Sequence, residues 1–430
     1  MTYKFSRYNI VLQGDKQYLW NTLSNYVVAL DEDAYQYVSG LHPGDEVDLS
    51  SPYYSIMKKS GFAIKEEFDE TGKVLHDYAK SVYASNGQEI YLTIAPGMGC
   101  NYQCIYCFEE GNRRNISMDE ETCDAVIQYV SDRLNRSNNV RKLRVVWFGG
   151  EPLLYMDIIE KLSQSFISAC ENLGIHYSAS IITNGRFLDI ETAQKLALLQ
   201  VKSAQISVDG CAELYCRNKL ASQSDFDAVI SHLSECWNIL NIAVRINIYP
   251  EEYEEACKLT HYLLKEKELD GKIKTYIANK RNYSVTPAEE QSNFKAYCAN
   301  DLKYRSMFTD GTYSRKSYQF RRVQRCDAPC KNICDSGACI GPKGELYKCE
   351  HHFGDQTKVV GSINKGYNYN NVFTQYTQPK LPKQECIQCA YLPCCMGGCP
   401  DDRINNRFIV DCQSFRERLS ALKLWEIEQL

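Results

Sequence analysis

The sequence predicts an α/β fold of parallel strands joined by helical crossovers, on three observations. Between Ile90 and Ala278, apolar runs of strand length alternate with longer helical stretches through six strands. Turn residues follow the carboxyl ends of successive strands. Three cysteines at C-x3-C-x2-C spacing, Cys100, Cys104 and Cys107, come directly after the first of those strands.

Residues 1 to 85 contain no cysteine and read as a separate small α+β segment. Tyr8 to Leu12 and Tyr26 to Leu30 have strand character, Asp31 to Leu41 reads as a short helix, and Tyr53 to Lys59 as a second, closed by Gly61. Phe62 to Ile64 then starts an extended piece across the Asp69-Glu70-Thr71-Gly72 turn signal, which predicts a β-wing.

The next segment, 86 to 280, carries the alternation. Strands are predicted at Ile90 to Ala95, Leu143 to Phe148, Ser178 to Ile182, Ala204 to Val208, Ile242 to Ile248 and Lys272 to Ala278. Helices are predicted at Met118 to Leu134, Met156 to Leu173, Glu191 to Leu199, Phe226 to Leu240 and Tyr253 to Lys267, the first opened by a Ser117/Glu120 capping box. Right-handed crossovers between parallel strands roll into a barrel or spread as an open sheet, and in both the site lies at the strands' carboxyl ends. There this chain places the cysteine loop, Gly149-Gly150-Glu151-Pro152, Thr183-Asn184-Gly185 and Asp209-Gly210. Each turn alone is ordinary loop chemistry; four at one end of one sheet mark a ligand cradle.

Thiolates are soft ligands that suit zinc or iron–sulfur clusters, and three are one short of a closed tetrahedral site. The chain has 21 cysteines in 430 residues. Seven are scattered from Cys123 to Cys298 and read as small buried hydrophobes. Eleven crowd between Cys326 and Cys412, beyond a polar, tyrosine-rich bridge at 281 to 325. No run has the length of a membrane span and the first residues lack the apolar block of a signal peptide, so a cytoplasmic location is expected. In a reducing compartment clustered cysteines read as metal ligands rather than disulfides. The net charge of -5 argues against nucleic acid as a partner.

Taken together, C-x3-C-x2-C with Tyr106 before the third cysteine, G-G-E-P at Gly149 to Pro152, T-N-G at Thr183 to Gly185 and S-x-D-G at Ser207 to Gly210 resemble the radical S-adenosylmethionine (radical SAM) superfamily. The resemblance implies a partial (β/α)6 barrel in which Cys100, Cys104 and Cys107 hold a [4Fe–4S] cluster whose open iron binds SAM. It implies contacts from Gly149, Gly150 and Glu151 to the SAM amine, from Asn184 and Ser207 to its ribose or carboxylate side, and from Tyr106 to its adenine. Arg217 is the nearest candidate for the carboxylate, although Tyr215-Cys216 stands where a His-Asp pair is usual.

Residues 326 to 430 resemble a SPASM domain: Cys334 and Cys349 bracket Gly344 as C-x9-G-x4-C, and Cys386, Cys389, Cys395, Cys399 and Cys412 follow at matching spacings. Plain zinc knuckles would use similar C-x2-C pairs. The resemblance implies two auxiliary [4Fe–4S] clusters, making three. Cys386, Cys389, Cys395 and Cys412 would hold the outer one. Cys334, Cys349 and Cys399 would hold the inner one, with Cys330 or Cys339 as its fourth ligand or with that position open. The first segment resembles the winged-helix element that binds leader peptides.

These resemblances imply maturation of a ribosomally made precursor peptide with a leader, fed by a ferredoxin- or flavodoxin-like electron donor. A cysteine thioether is the first expectation; carbon–carbon cyclophane linkage and sulfatase-maturase-like formylglycine formation are alternatives. An iron–sulfur electron carrier is the alternative of another class, but a carrier has no use for a SAM cradle.

Overall fold

The computed structural model describes residues 1–430 apart from 85–86, 110, 112–114, 137–138, 281–284, 321, 382, 406–409 and 429–430. The chain divides into two compact units that alternate along the sequence. One comprises Met1–Ala84, Arg321–Cys330 and Gln378–Leu430; the other comprises Ser85–Phe320 and Lys331–Thr377.

The first unit opens with strand β1 (Tyr3–Phe5), an antiparallel meander of β2 (Asn9–Gln13), β3 (Gln17–Asn21) and β4 (Val27–Leu30), and helices α1 (Glu32–Ser39) and α2 (Tyr54–Ser60). Strand β5 (Ala63–Lys65) returns to pair with β1, so that Tyr3, Phe5, Leu19, Val38, Met57 and Phe62 share one core. A second apolar cluster joins Leu12 and Trp20 to Val323, Leu419 and Leu422 of the returning segments.

The predicted wing is replaced by a helix. Asp69 caps α3 (Glu70–Tyr83), its carboxylate accepting the Gly72 N–H at 2.9 Å. An Asp three residues before Gly serves a helix start as well as a turn, and here the following Val74, Tyr78 and Val82 bury one face at helical spacing. Asp69→Ala is expected to remove that cap and lower stability by about 1 kcal/mol in chemical denaturation, leaving α3 in place.

The second unit is built on one sheet. Strands β6 (Glu89–Ile94), β7 (Lys142–Trp147), β8 (His176–Thr183), β9 (Val201–Ser207), β10 (Asn241–Ile248) and β11 (Lys274–Asn279) pair in parallel, each with the next. The crossovers run through α4 (Glu120–Asn135), α5 (Met156–Leu173), α6 (Ile190–Leu198), the pair α7 (Ala212–Lys219) and α8 (Gln223–Cys236), and α9 (Tyr253–His261). This is the predicted partial barrel, left open at β11.

Three features depart from the expectation. The first crossover helix is capped by Asp119, which accepts the Thr122 N–H at 2.9 Å. Ser117 instead bridges Gly97 in antiparallel fashion, which commits its backbone before the helix begins. Within the stretch expected to be a bridge, α10 (Pro287–Thr309) spans 23 residues, started by a Thr286/Glu289 capping box and Pro287. Its buried residues include Glu290 and Asp301 beside Cys298, Tyr304 and Phe308, so no clean apolar stripe announces it. Finally, the sheet continues past β6 into the cysteine-rich segment. Strand β12 (Gly337–Ile340) pairs parallel to β6, followed antiparallel by β13 (Glu345–Tyr347), β14 (Gly361–Ser362) and β15 (Gly366–Tyr367).

Candidate active site

The loop beyond β6 that carries the three thiols is fastened along its length. Glu151 donates its N–H to the Gly99 carbonyl at 2.8 Å, and Gly150 donates to Gly97 at 3.3 Å. Glycine is what permits this approach: a Cβ on Gly149 would lie 2.4 Å from the Gly97 oxygen, and one on Gly150 2.3 Å from the Gly99 oxygen. From another side the Tyr155 hydroxyl accepts the Gly99 N–H at 2.9 Å, with its ring 2.2 Å from where a Gly97 Cβ would sit. The two loop glycines therefore make room for protein.

Further along, the Asn184 amide donates to Asn101 Oδ1 at 2.8 Å, and the Tyr215 hydroxyl donates to that of Tyr102 at 3.2 Å. The Ile105 N–H donates to the Asn218 carbonyl at 2.9 Å, and the Tyr106 hydroxyl donates to the Asp209 carboxylate. Burial and then the Asp209 charge push the Tyr106 phenol well above its ordinary range, which keeps it protonated as the donor.

Glu151 is the hub of the two neighbouring turns. Fully buried, its carboxylate accepts from the Thr183 hydroxyl at 2.7 Å, the Asn184 N–H at 2.8 Å and the Leu153 N–H at 3.0 Å. Burial raises its carboxyl; the Asn184 N–H and Thr183 hydroxyl draw it back. Both carboxylate oxygens are thus engaged in joining G-G-E-P to T-N-G, and the groups these turns present outward are Gly149, Gly150, Thr183 and Asn184.

Cys100, Cys104 and Cys107 line a cavity of about 300 Å³ at the carboxyl ends of the strands, together with Tyr106, Gly149, Gly150, Asn184 and Ser207. That volume is at the lower end of small-molecule sites. Among the described residues no three His, Cys, Asp or Glu side chains gather as a single-ion site.

Arg217 is not brought to this cavity. Its side chain is 64% exposed and pairs with Glu252 at 3.7 Å. Two residues on, Lys219 is buried, lines the cavity, and has its ammonium 5.4 Å from the centre of the Tyr215 ring. Among the described residues it has no ion-pair partner, and its charge acts on Glu151. Two more cations line the wall: Lys280, which pairs with Glu252 at 2.7 Å, and Arg245, whose Nε donates to Asn247 Oδ1 at 2.9 Å.

Glu350 and His351, which no motif in the sequence announces, also line the cavity. His351 stacks on Phe108, ring centres 4.3 Å apart. The segment that holds Glu350 and His351 joins the sheet through the β6–β12 pairing, and no local pattern encodes a pairing so distant in sequence.

The later cysteines fall in both units. Cys386, Cys389, Cys395 and Cys412 lie near one another in the first: burial pushes the Cys395 thiol up to about 11, and the sulfurs of Cys389, Cys386 and Cys412 add to it. Cys330 and Cys399 belong to the same unit, Cys334 and Cys349 to the second. Cys339, on β12, is fully buried in an apolar cluster with Ala95, Met98, Tyr347 and Phe353. Cys394 packs with the Trp20 cluster, and the Cys326 thiol donates to its carbonyl at 3.4 Å. Of the seven scattered cysteines, Cys123, Cys170, Cys236 and Cys298 are buried.

Comparison with known proteins places these features in context. The family model described as the radical SAM superfamily matches residues 94–262. The chain is 22% identical over 339 residues to the mycofactocin maturase MftC of Mycolicibacterium smegmatis, covering 72% of this chain and 78% of that protein. It is 35% identical over 111 residues to the uncharacterized protein MJ0907 of Methanocaldococcus jannaschii, spanning 26% of this chain and about a third, 35%, of that protein. In fold it is similar to native anSMEcpe with bound AdoMet and Kp18Cys peptide, with a TM-score of 0.58 at 20% identity over 79% of this chain and 98% of the other.

Proposed function

Because residues 94–262 form a radical SAM domain, we propose that this chain is a peptide maturase that uses SAM to install an oxidative cross-link, a cysteine thioether, in a ribosomally made precursor. The observation that carries the reading is the three-thiol loop, clasped by the turns after successive parallel strands at the edge of one cavity. A donor set of three thiols and glycines that bring backbone to the cavity rim fits a cluster plus a ligand on its open iron.

Cys100, Cys104 and Cys107 would hold that [4Fe–4S] cluster. When bound, the cluster and SAM supply a 5′-deoxyadenosyl radical for hydrogen abstraction. The chain's residues position and enclose the reactants. Gly149 and Gly150 would offer backbone groups to the SAM amine; Glu151 acts from behind, fixing both turns through its three accepted hydrogen bonds. In an amino acid the carboxylate sits one carbon from the amine, so its partner must stand close to these turns. Lys219, whose charge reaches Glu151, meets that condition and replaces Arg217 in this role. Asn184 and Ser207 would face the remaining polar groups, with the Tyr106 ring held against the cavity by Asp209.

The SPASM reading assigns Cys386, Cys389, Cys395 and Cys412 to an outer cluster and Cys334, Cys349 and Cys399 to an inner one. Cys330 or Cys339 would be a further inner ligand, or that position stays open; Cys339 is packed among apolar side chains. The clusters those cysteines would hold would supply electron-transfer capacity for an oxidative link, with a ferredoxin- or flavodoxin-like protein as the electron donor. The relative named a maturase and the fold neighbour carrying a peptide support a peptide substrate.

The test is coexpression with a neighbouring small open reading frame and mass analysis of its peptide. A loss of two hydrogens per link, with the linked cysteine resistant to alkylation, is the expected outcome. An unchanged peptide in the presence of fully loaded, reduced protein that forms 5′-deoxyadenosine would exclude cross-linking of that substrate.

A further inference from the structure

We propose that the floor of the cavity is a carboxylate-binding subsite built on Arg245, which selects an acidic group of the peptide; this rests on the peptide reading above. The cavity wall has three cations among the described residues, Lys219, Arg245 and Lys280. Two are accounted for. Lys280, with a side chain 1% exposed, is neutralised by Glu252 and lies 5.4 Å and 5.1 Å from the ring centres of Tyr106 and Tyr249. Lys219 stands beside Glu151 at the SAM turns.

Arg245 is different in place and in partnership. It lies on β10, three strands away from the β7 turn that carries Glu151, paired across to Ser207 on β9 and Tyr276 on β11. Its Nε is engaged by Asn247, which passes the contact on to Asp209 at 3.0 Å. No carboxylate pairs with its guanidinium among the described residues, and the two terminal nitrogens have no protein acceptor there. A guanidinium left with its paired N–H groups open toward a cavity is suited to a carboxylate, which it grips through two parallel hydrogen bonds.

The level of Arg245 in the strand sets which part of a substrate arrives there. It is three residues short of the end of β10, whereas Asn279 closes β11. Three residues of strand are about 10 Å, so the Arg245 backbone sits that much further from the strand ends than Asn279, which stands near the mouth. The Asn279 Oδ1 is buried without a hydrogen-bond donor among the described residues and lines the same cavity, an acceptor suited to a peptide N–H. An extended segment entering acid first satisfies both. The acid has two sources, an Asp or Glu side chain or the peptide's own carboxyl terminus.

The test measures binding of three short probes to the reconstituted, SAM-saturated protein by calorimetry: acetyl-Gly-Gly-Ala with a free carboxylate, acetyl-Glu-amide, and neutral acetyl-Gly-Gly-Ala-amide. At least one acid should bind about tenfold more tightly than the neutral probe, and which one does identifies the source. Arg245→Gln should abolish the preference without changing SAM affinity, and Arg245→Lys should retain part of it. Equal binding of all three, no binding of either acid at millimolar concentration, or a preference that survives Arg245→Gln would overturn the subsite. So would an equal loss of SAM affinity in Arg245→Gln, which would mark Arg245 as support for the Asp209–Tyr106 contact. Formation of 5′-deoxyadenosine by the wild-type protein without any probe reports separately on the radical SAM reading.

Discussion

Gly150→Ala is expected to reduce 5′-deoxyadenosine formation by a hundredfold or more while leaving the protein folded. The added Cβ would lie 2.3 Å from the Gly99 oxygen and 2.6 Å from that of Met98, both backbone atoms that no rotamer change can move aside. The thiol loop must shift by about an ångström, and displacement on that scale costs reacting groups roughly two orders of magnitude in rate. The clash is confined to the loop and the turn, so circular dichroism should be unchanged. Iron bound at the Cys100–Cys107 site should fall with the activity. Wild-type turnover in this variant would mean that the loop is not held against the turn as described.

The second large effect concerns the cation for the SAM carboxylate. Lys219→Met keeps the buried stem and removes the charge. A hydrogen bond to a charged group contributes about 1.5–3 kcal/mol, so the dissociation constant for SAM should rise by roughly 10- to 100-fold in equilibrium binding to the reconstituted protein. Arg217→Met, exposed and paired with Glu252, should change it by less than about twofold, as surface ion pairs do. The reverse order of effects would return the role to Arg217.

That contrast also shows what the sequence carries and where it falls silent. The strands of the second unit were legible because each is a short apolar run between turn residues, and the turns that border the cavity were found through their position at one end of those runs. Lys219 was missed because Arg217 is the first cation after the S-x-D-G turn, even though Tyr215-Cys216 stands there in place of the usual His-Asp pair. A local signal was nevertheless present: Leu214 with Asn218, and Tyr215 with Lys219, repeat at the four-residue spacing of one helical face, which turns Arg217 away from the core. Helix α10 was hidden by the acids on its buried side, while its Thr-Pro-x-Glu start was readable. His351 had no such signal, since its place depends on β12 pairing with a strand far earlier in the chain.

That pairing has a consequence for how the molecule is made. Gly337 meets Tyr91 across a separation of 246 residues (337 minus 91). As the chain leaves the ribosome, β6 through β11 are all synthesised before the strand that covers the free side of β6 exists. Until then β6 presents an unpaired edge of Ile90, Leu92 and Ile94, the kind of surface through which nascent chains associate with one another. A chain ending before Gly337 would therefore keep every residue of the thiol loop yet expose that edge permanently, and the cysteine-rich segment acts as a late-arriving guard on the sheet as well as a source of thiols.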